Sequence, residues 1–369
     1  MSEAFLFIGM ISGTSRDGVD TALVSFAGGM PRLRDTQCLP YPPDLADALQ
    51  DMIEAGQRPS ANELEKVDDR LADFFGQAVQ ALLEKAGIES SAVAALGSHG
   101  QTVWHDPGGA NPESIQVGNP QRIADQTGIM TVGDFRRADI EAGGQGGPLA
   151  PLLHRALFQP DNGTRIVLNL GGIANISILN SNGSVSGFDT GPANCLLDAW
   201  IREQRGEPYD KEGAWSAGGN VIEFLLQNLL TDPWFKMPAP KSTGVEHFNL
   251  QWLKKQELVN SIDPRDVQAT LAQLTASTVA TAIAPSSPAD ILVCGGGVHN
   301  TDLLYRLADL LPGIPVLSTA TQGLAPDWVE AVLFAWLARE RLDDKAQDTR
   351  KITGAHQPVL LGKIYQPWV

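Results

Sequence analysis

Cysteine is scarce in this chain of 369 residues: Cys38, Cys195 and Cys294 are the only three, far apart and without CxxC spacing. An odd, scattered set builds neither a disulfide framework nor a zinc knuckle, and it fits a reducing compartment. Positive charge is short as well. Lys and Arg number 27 against 43 Asp and Glu, a formal net charge of −16 that repels polyphosphates and anionic lipid heads. Binding to nucleic acid or to a membrane surface is therefore not expected. No segment approaches the roughly 20 consecutive apolar residues of a membrane span. The opening stretch carries Glu3 where a signal peptide needs Lys or Arg, so a cytoplasmic location is expected. Common catalytic signatures are missing too: there is no GxxxxGK[ST] phosphate loop, GxGxxG turn, GxSxG elbow or HExxH pair. The nearest approach, Lys241 to Gly244, follows Pro240 and lacks the preceding glycine loop. Phosphate would need another cradle.

What is present is the composition of a folded α/β protein. Hydrophobic residues make up 43% and charged residues 19%, which excludes disorder as the main state, and the length suggests about two domains. Phe5 to Met10 and Val19 to Phe26 are apolar runs separated by the turn-rich SGTSRDG, which reads as strand, tight turn, strand. The same grammar returns at Ile166 to Leu170, Gly171-Gly172 and Asn175 to Leu179, so the chain reads as two related halves. Apolar residues at steps of three and four predict helices over 61–86, 194–204, 221–230, 266–283 and 327–341. Between them lie short buried-type strands at 93–96, 130–132 and 291–294, and this alternation predicts an α/β architecture. Glycine-rich punctuation before the second hairpin places the boundary at 160/161, with the C-terminal segment free to return to the first half. The polar tail over 343–351 reads as a surface loop.

Three glycine turns follow apolar strands: Gly13, flanked by the hydroxyls of Thr14 and Ser15; Gly171 and Gly172; and Gly295, Gly296 and Gly297. Glycine lets successive backbone N–H groups approach an anion without a Cβ in the way. Any one of them alone reads as a hairpin or helix-end turn. Three such turns, repeated between the halves, favour a phosphate cradle.

This layout resembles the actin, hexokinase and seventy-kilodalton heat-shock chaperone superfamily. That resemblance implies two ribonuclease-H-like (actin-like ATPase) domains flanking a central cleft that holds ATP. The superfamily usually carries Asp two residues before each hairpin glycine, whereas this chain has Ile11 and Asn169, which leaves the protein ligands of Mg2+ unassigned and Asp17 as a substitute. Over Phe7 to Tyr365 the chain resembles the anhydro-N-acetylmuramic acid kinases more specifically. The motifs are SGTSRDGVD, GSHGQTVWH, GDFRRADIEAGGQGGPL, LNLGGIANIS, FDTGPAN, PKSTG, DVQATLAQLTA and VCGGGVHN. The implied reaction, part of murein recycling, couples hydrolytic opening of a 1,6-anhydro sugar to transfer of the ATP γ-phosphoryl group onto its freed 6-oxygen. The resemblance also implies ATP contacts from Gly13, Thr14, Ser15, Arg16, Asp17, Gly18, Val19, Asp20, Gly171, Gly172, Gly295, Gly296, Gly297 and Asn300, and it implies a homodimer.

Asp189, in FDTGP, is by this resemblance the general base that deprotonates water at the anomeric carbon, a task suited to a carboxylate. An Asp just before a helix can instead be a cap. An aspartic protease would need two such aspartates sharing a proton, and no second DTG or DSG occurs. Arg137 is implied to contact the sugar, through its carboxylate or its hydroxyls, while the adjacent Arg136 must point elsewhere. Glu330, opening an apolar helix, is implied to sit near the attacking water, although a first-turn Glu is also favoured by the helix dipole. His99, His105 and Asp106 lack a third convergent ligand and read as loop-shaping residues, and His299 has no assigned role. Two other readings stay open: a different sugar kinase of the superfamily, which needs no water-activating base, and a nucleotide-binding assembly protein.

Overall fold

The computed structural model describes residues 5–13, 18–27, 30–256 and 258–368. The chain divides into two compact units, Met1–Leu153 with Trp328–Val369, and His154–Asp327. In the first unit, β1 (Leu6–Ile11), β2 (Gly18–Ala27) and β3 (Met30–Pro40) form an antiparallel meander with Ile11 opposite Asp20. After α1 (Pro43–Glu54) comes α2 (Ala61–Ala86), opened by a Ser60–Glu63 capping box and stopped at Gly87, whose φ of 64° suits a residue without a Cβ. Its buried face, Val67, Leu71, Phe74, Phe75, Ala78 and Leu82, follows the predicted periodicity and closes the core on one side of the sheet. β4 (Val93–Ser98) then runs parallel to β1, followed by the hairpin of β5 (Gln101–Asp106) and β6 (Glu113–Val117), α3 (Pro120–Thr127), β7 (Thr131–Gly133), α4 (Arg137–Glu141) and α5 (Ala150–Phe158).

The second unit repeats the plan. β8 (Thr164–Leu170), β9 (Ile173–Asn180) and β10 (Val185–Pro192) form the meander. α6 (Asn194–Arg205), α7 (Glu223–Leu229), α8 (Leu250–Lys254) and α9 (Pro264–Ile283) follow, then β11 (Asp290–Cys294) parallel to β8, α10 (Thr301–Leu310) and β12 (Val316–Ser318). The two sheets have the same order, third, second, first, fourth, fifth: β3-β2-β1-β4-β7 and β10-β9-β8-β11-β12. Within each of these five-strand sets only the second strand runs antiparallel to its neighbours. The plan is present twice, as the repeated hairpin grammar predicted, and it is the ribonuclease-H-like arrangement that the superfamily resemblance implied.

The chain then returns to the first unit with α11 (Val329–Leu342) and β13 (Lys363–Tyr365), which pairs antiparallel with β7. The division therefore falls inside α5, at 153/154 rather than 160/161, and the last 42 residues belong with the first. α11 lies almost backbone to backbone on the sheet: a Cβ on Gly9 would overlap the Ala331 carbonyl and come 2.6 Å from Ala335 N, and one on Gly97 would come 2.7 Å from the Phe334 carbonyl carbon. The tail over 343–351 is not a surface loop throughout. Thr349 is fully buried and, with Thr353, donates to the buried Asp139 carboxylate at 2.5 and 2.8 Å. Among the described residues no helix is long and apolar enough to cross a membrane.

Candidate active site

In an open α/β sheet, ligands gather beyond the carboxyl ends of the parallel strands. In the second unit both glycine turns lie there. Gly171 and Gly172 join β8 to β9, and the start of α6 locks the hairpin: the N–H of Ala193 donates to Gly172 O at 2.9 Å and that of Asn194 to Gly171 O at 3.1 Å. The Asn194 amide adds a bond to Leu170 O at 2.9 Å. Gly295, Gly296 and Gly297 follow β11 and press against the same strand end. Gly295 has φ 78°, and a Cβ there would overlap the Asn169 side chain and lie 2.9 Å from Leu170 backbone, while one on Gly297 would meet Leu170 Cβ at 2.5 Å. The two turns thus adjoin each other through Asn169 and Leu170. Asn300, beyond the same turn, caps α10, its side-chain oxygen accepting from Leu303 N at 3.0 Å.

Asp189 is not the cap of α6. It lies within β10, and the N-cap residue, Ala193, makes no side-chain capping bond. The strand pairs in register with β9 up to Asp189, opposite Asn175, and slips between Asp189 and Gly191. Asp189 as a residue is only 7% exposed. A loop over 240–244 clamps it, with the Asp189 N–H donating to Lys241 O at 3.0 Å and Thr243 N–H donating to Asp189 Oδ2 at 2.9 Å. Lys241 is itself buried, its Nζ donating to the carbonyls of Trp234 and Phe235 at 3.2 and 3.1 Å and lying 4.1 Å from the Trp234 ring centre. Burial lowers the ammonium's proton affinity and the nearby Asp189 charge opposes this, so the two groups feel each other. In sequence this loop is only a near miss to a phosphate loop and one of the family motifs, PKSTG; the burial of its lysine, rare for that residue type, appears only in the fold.

The first-unit residues are placed as follows. Gly13 ends the strand connection after β1, where Ser12 donates to Gln101 Oε1 and accepts from Tyr41 Oη at 2.7 Å. Thr14, Ser15, Arg16 and Asp17 lie outside the described residues. Gly18, Val19 and Asp20 open β2, and the Val19 side chain is wholly within the core, which leaves only its backbone to face a ligand. Arg137 opens α4 with an exposed guanidinium bonded to Asp134 Oδ2 at 2.8 Å, a bond that raises its already high proton affinity. Arg136 is the structural member of the pair, bonded to His99 and, at 3.1 Å, to Gly146 O. Glu330 lies half-buried in the first turn of α11.

His99 lies in the turn between β4 and β5, whereas His105 lies within β5 and bonds across the hairpin to Ser114 Oγ at 3.0 Å. Arg136 donates to His99 Nε2 at 3.1 and 2.9 Å, so the proton sits on Nδ1 and goes to Gly100 O at 3.0 Å. Burial, with Arg136 adding to it, holds His99 far below its usual range and His105 down to about 3. Burial alone puts His154 of the second unit at about 3. These histidines stay neutral in the fold but take up protons near pH 6.5 when unfolded, so stability is full above that pH and falls below it. Each contributes a slope approaching about 1.4 kcal/mol per pH unit. Unfolding midpoints should drop steeply between pH 6.5 and 5, and His154→Gln should flatten that slope; an unchanged slope would show that His154 is not held neutral. His299 pairs with Asp327 at 2.9 Å on the surface.

A family model described as anhydro-N-acetylmuramic acid kinase matches residues 5–367. Among solved structures, the chain is similar to the activator of 2-hydroxyisocaproyl-CoA dehydratase from Clostridium difficile with bound ADPNP, at 9% identity and TM-score 0.48 over 93% of this chain and 99% of that one. It is also similar to a ROK family glucokinase from Streptomyces griseus in complex with glucose and AMPPNP, at 18% identity and TM-score 0.41 over 91% and 99%.

Proposed function

The chain belongs to the anhydro-N-acetylmuramic acid kinase family, and on that footing we propose that its second unit carries out the hydrolytic half of the reaction with Asp189 as the base. The activity is that of an ATP-dependent kinase: water opens the 1,6-anhydro ring, the freed 6-oxygen takes the γ-phosphoryl group, and N-acetylmuramic acid 6-phosphate and ADP are formed. An acetal carbon yields to water only when the water is losing a proton, so a fixed acceptor must wait beside it. The observation that carries the assignment is the clamped, buried carboxylate at the Asn175 register position, three residues along β9 from Gly172. At about 3.4 Å per residue the base and the hairpin are separated by roughly 10 Å, room for one sugar ring between water and phosphate.

In this reading the backbone N–H groups of Gly171, Gly172 and Gly295 to Gly297 receive the nucleotide, and the family likeness adds Gly13 to Asp20 as nucleotide contacts, Arg137 as a contact to the sugar's carboxylate or hydroxyls, and Glu330 as a second carboxylate of the reaction. Arg137→Ala should raise KM for the anhydro sugar about tenfold and leave KM for ATP unchanged, checked by initial rates; a change in ATP alone would remove Arg137 from the sugar site. A magnesium ion would supply positive charge against the nucleotide phosphates, with Asp17 the substitute ligand that the sequence offers. A cytoplasmic homodimer completes the proposal, supported by the scarcity and wide spacing of cysteine in the sequence and by the family likeness.

The test compares ADP release with the anhydro sugar and with ring-opened N-acetylmuramic acid. Turnover with the anhydro sugar, one 6-phosphate per ADP, is expected. Preference for the ring-opened sugar would make the protein an ordinary hydroxyl kinase, and ADP release indifferent to sugar would make it an assembly ATPase.

A further inference from the structure

We propose that Asn175 is a further catalytic residue, whose amide oxygen takes the second hydrogen of the attacking water; the inference rests on the reading of Asp189 as base. Strand alternation sends Leu168, Leu170, Ala174 and Ile176 into the hydrophobic core and leaves Asn169, Asn175 and Asp189 on the opposite face. These three occupy one cross-strand row, Asn169 opposite Asn175 and Asn175 opposite Asp189. Side chains so paired have Cβ atoms about 5 Å apart, the spacing one small molecule bridges.

Asn175 Oδ1 is buried and has no hydrogen-bond partner, and the same holds for Thr243 Oγ1, on the residue whose N–H grips Asp189. Buried acceptors are rarely left unmade, so an orphan beside a functional carboxylate marks a place for a ligand hydrogen. A water donating one hydrogen to Asp189 and the other to Asn175 Oδ1 has both hydrogens fixed, and its lone pair then points away from both. Its oxygen bonds to the anomeric carbon as the bond from that carbon to the 6-oxygen breaks, the electron pair leaving with the 6-oxygen. One proton passes to Asp189, and the other stays on the new anomeric hydroxyl, still bonded to Asn175. The 6-oxygen bonds to the γ-phosphorus as the bridging oxygen leaves with ADP. Among the described residues of the second unit, the titratable groups near the row include Asp189 itself, Lys241 on the clamping loop and the buried Cys294, opposite Asn169 on β11.

Asn175→Ala and the near-isosteric Asn175→Asp test this with ATP and the anhydro sugar. For Asn175→Ala a loss in kcat of roughly 10- to 100-fold is expected, with both KM values and the ATP Kd unchanged. Asn175→Asp restores an acceptor but sets a second carboxylate beside the first, so it should keep more activity while the acid limb of its pH–rate profile moves to higher pH. Wild-type kcat and pH profile in either variant that folds would overturn the proposal, as would a loss matched by weaker ATP binding, which marks a structural role. Asp189→Asn run in parallel separates the two levels. If it stays active the base assignment fails, and if it is inactive while the Asn175 variants behave as wild type, only this inference fails.

Discussion

Asp189→Asn should lower phosphorylation of the anhydro sugar by at least about 10²-fold while ATP binds as before. The substitution keeps the shape of the side chain, and its amide oxygen can still accept from Thr243 N–H, so the clamp over 240–244 has no reason to open. What is lost is the capacity to take a proton from water, a contribution of roughly 10² to 10⁴ in rate. Titration with ATP and a coupled ADP assay measure the two quantities separately. Retained turnover would remove Asp189 from the chemistry, and lost ATP binding would show it to be a structural anchor of the glycine hairpin.

The largest effect on stability should come from Gly9. Here α11 rests its backbone on β1, and a Cβ would run into the Ala331 carbonyl, which as backbone cannot swing aside. Gly9→Val should cost about 3 kcal/mol or more, since overpacking a fixed contact forces helix and strand apart. Gly183→Ala is the control. Gly183 has φ 82° but nothing within 4 Å of an added Cβ, so only the backbone conformation is penalised, by about 1–2 kcal/mol. Chemical denaturation of the two variants decides the matter. Equal losses would mean that α11 does not press on the sheet at Gly9.

The same contact shows what could and could not be read from residues alone. The twin hairpins were legible because each strand pair is a local apolar–turn–apolar event, and α2 was legible to the residue because it carries its own start and stop signals. The return of the last 42 residues to the first unit was only allowed for, since no local pattern says which sheet a helix buried on nearly all sides, such as α11, will cover. Thr349 illustrates the same limit: polar in sequence, it is buried because Asp139, some 210 residues earlier, needs its hydroxyl. In the site, glycine turns announced themselves by position after apolar strands. Asp189 was legible as a residue but not in its setting, because its strand register, the partner Asn175 and the clamp from Lys241 and Thr243 are all long-range. Arg136 and Arg137 could not be told apart in sequence, and packing separates them.

The claim beneath the whole account is that oxygen from solvent enters the sugar at its anomeric carbon during phosphorylation. Running the reaction in water enriched in oxygen-18, with quenching before the free anomeric position exchanges, and fragmenting the 6-phosphate by mass spectrometry reads this directly. One heavy oxygen on the anomeric carbon and none on the phosphoryl group is the predicted pattern; product without label at that carbon, or with label on phosphorus, would contradict it.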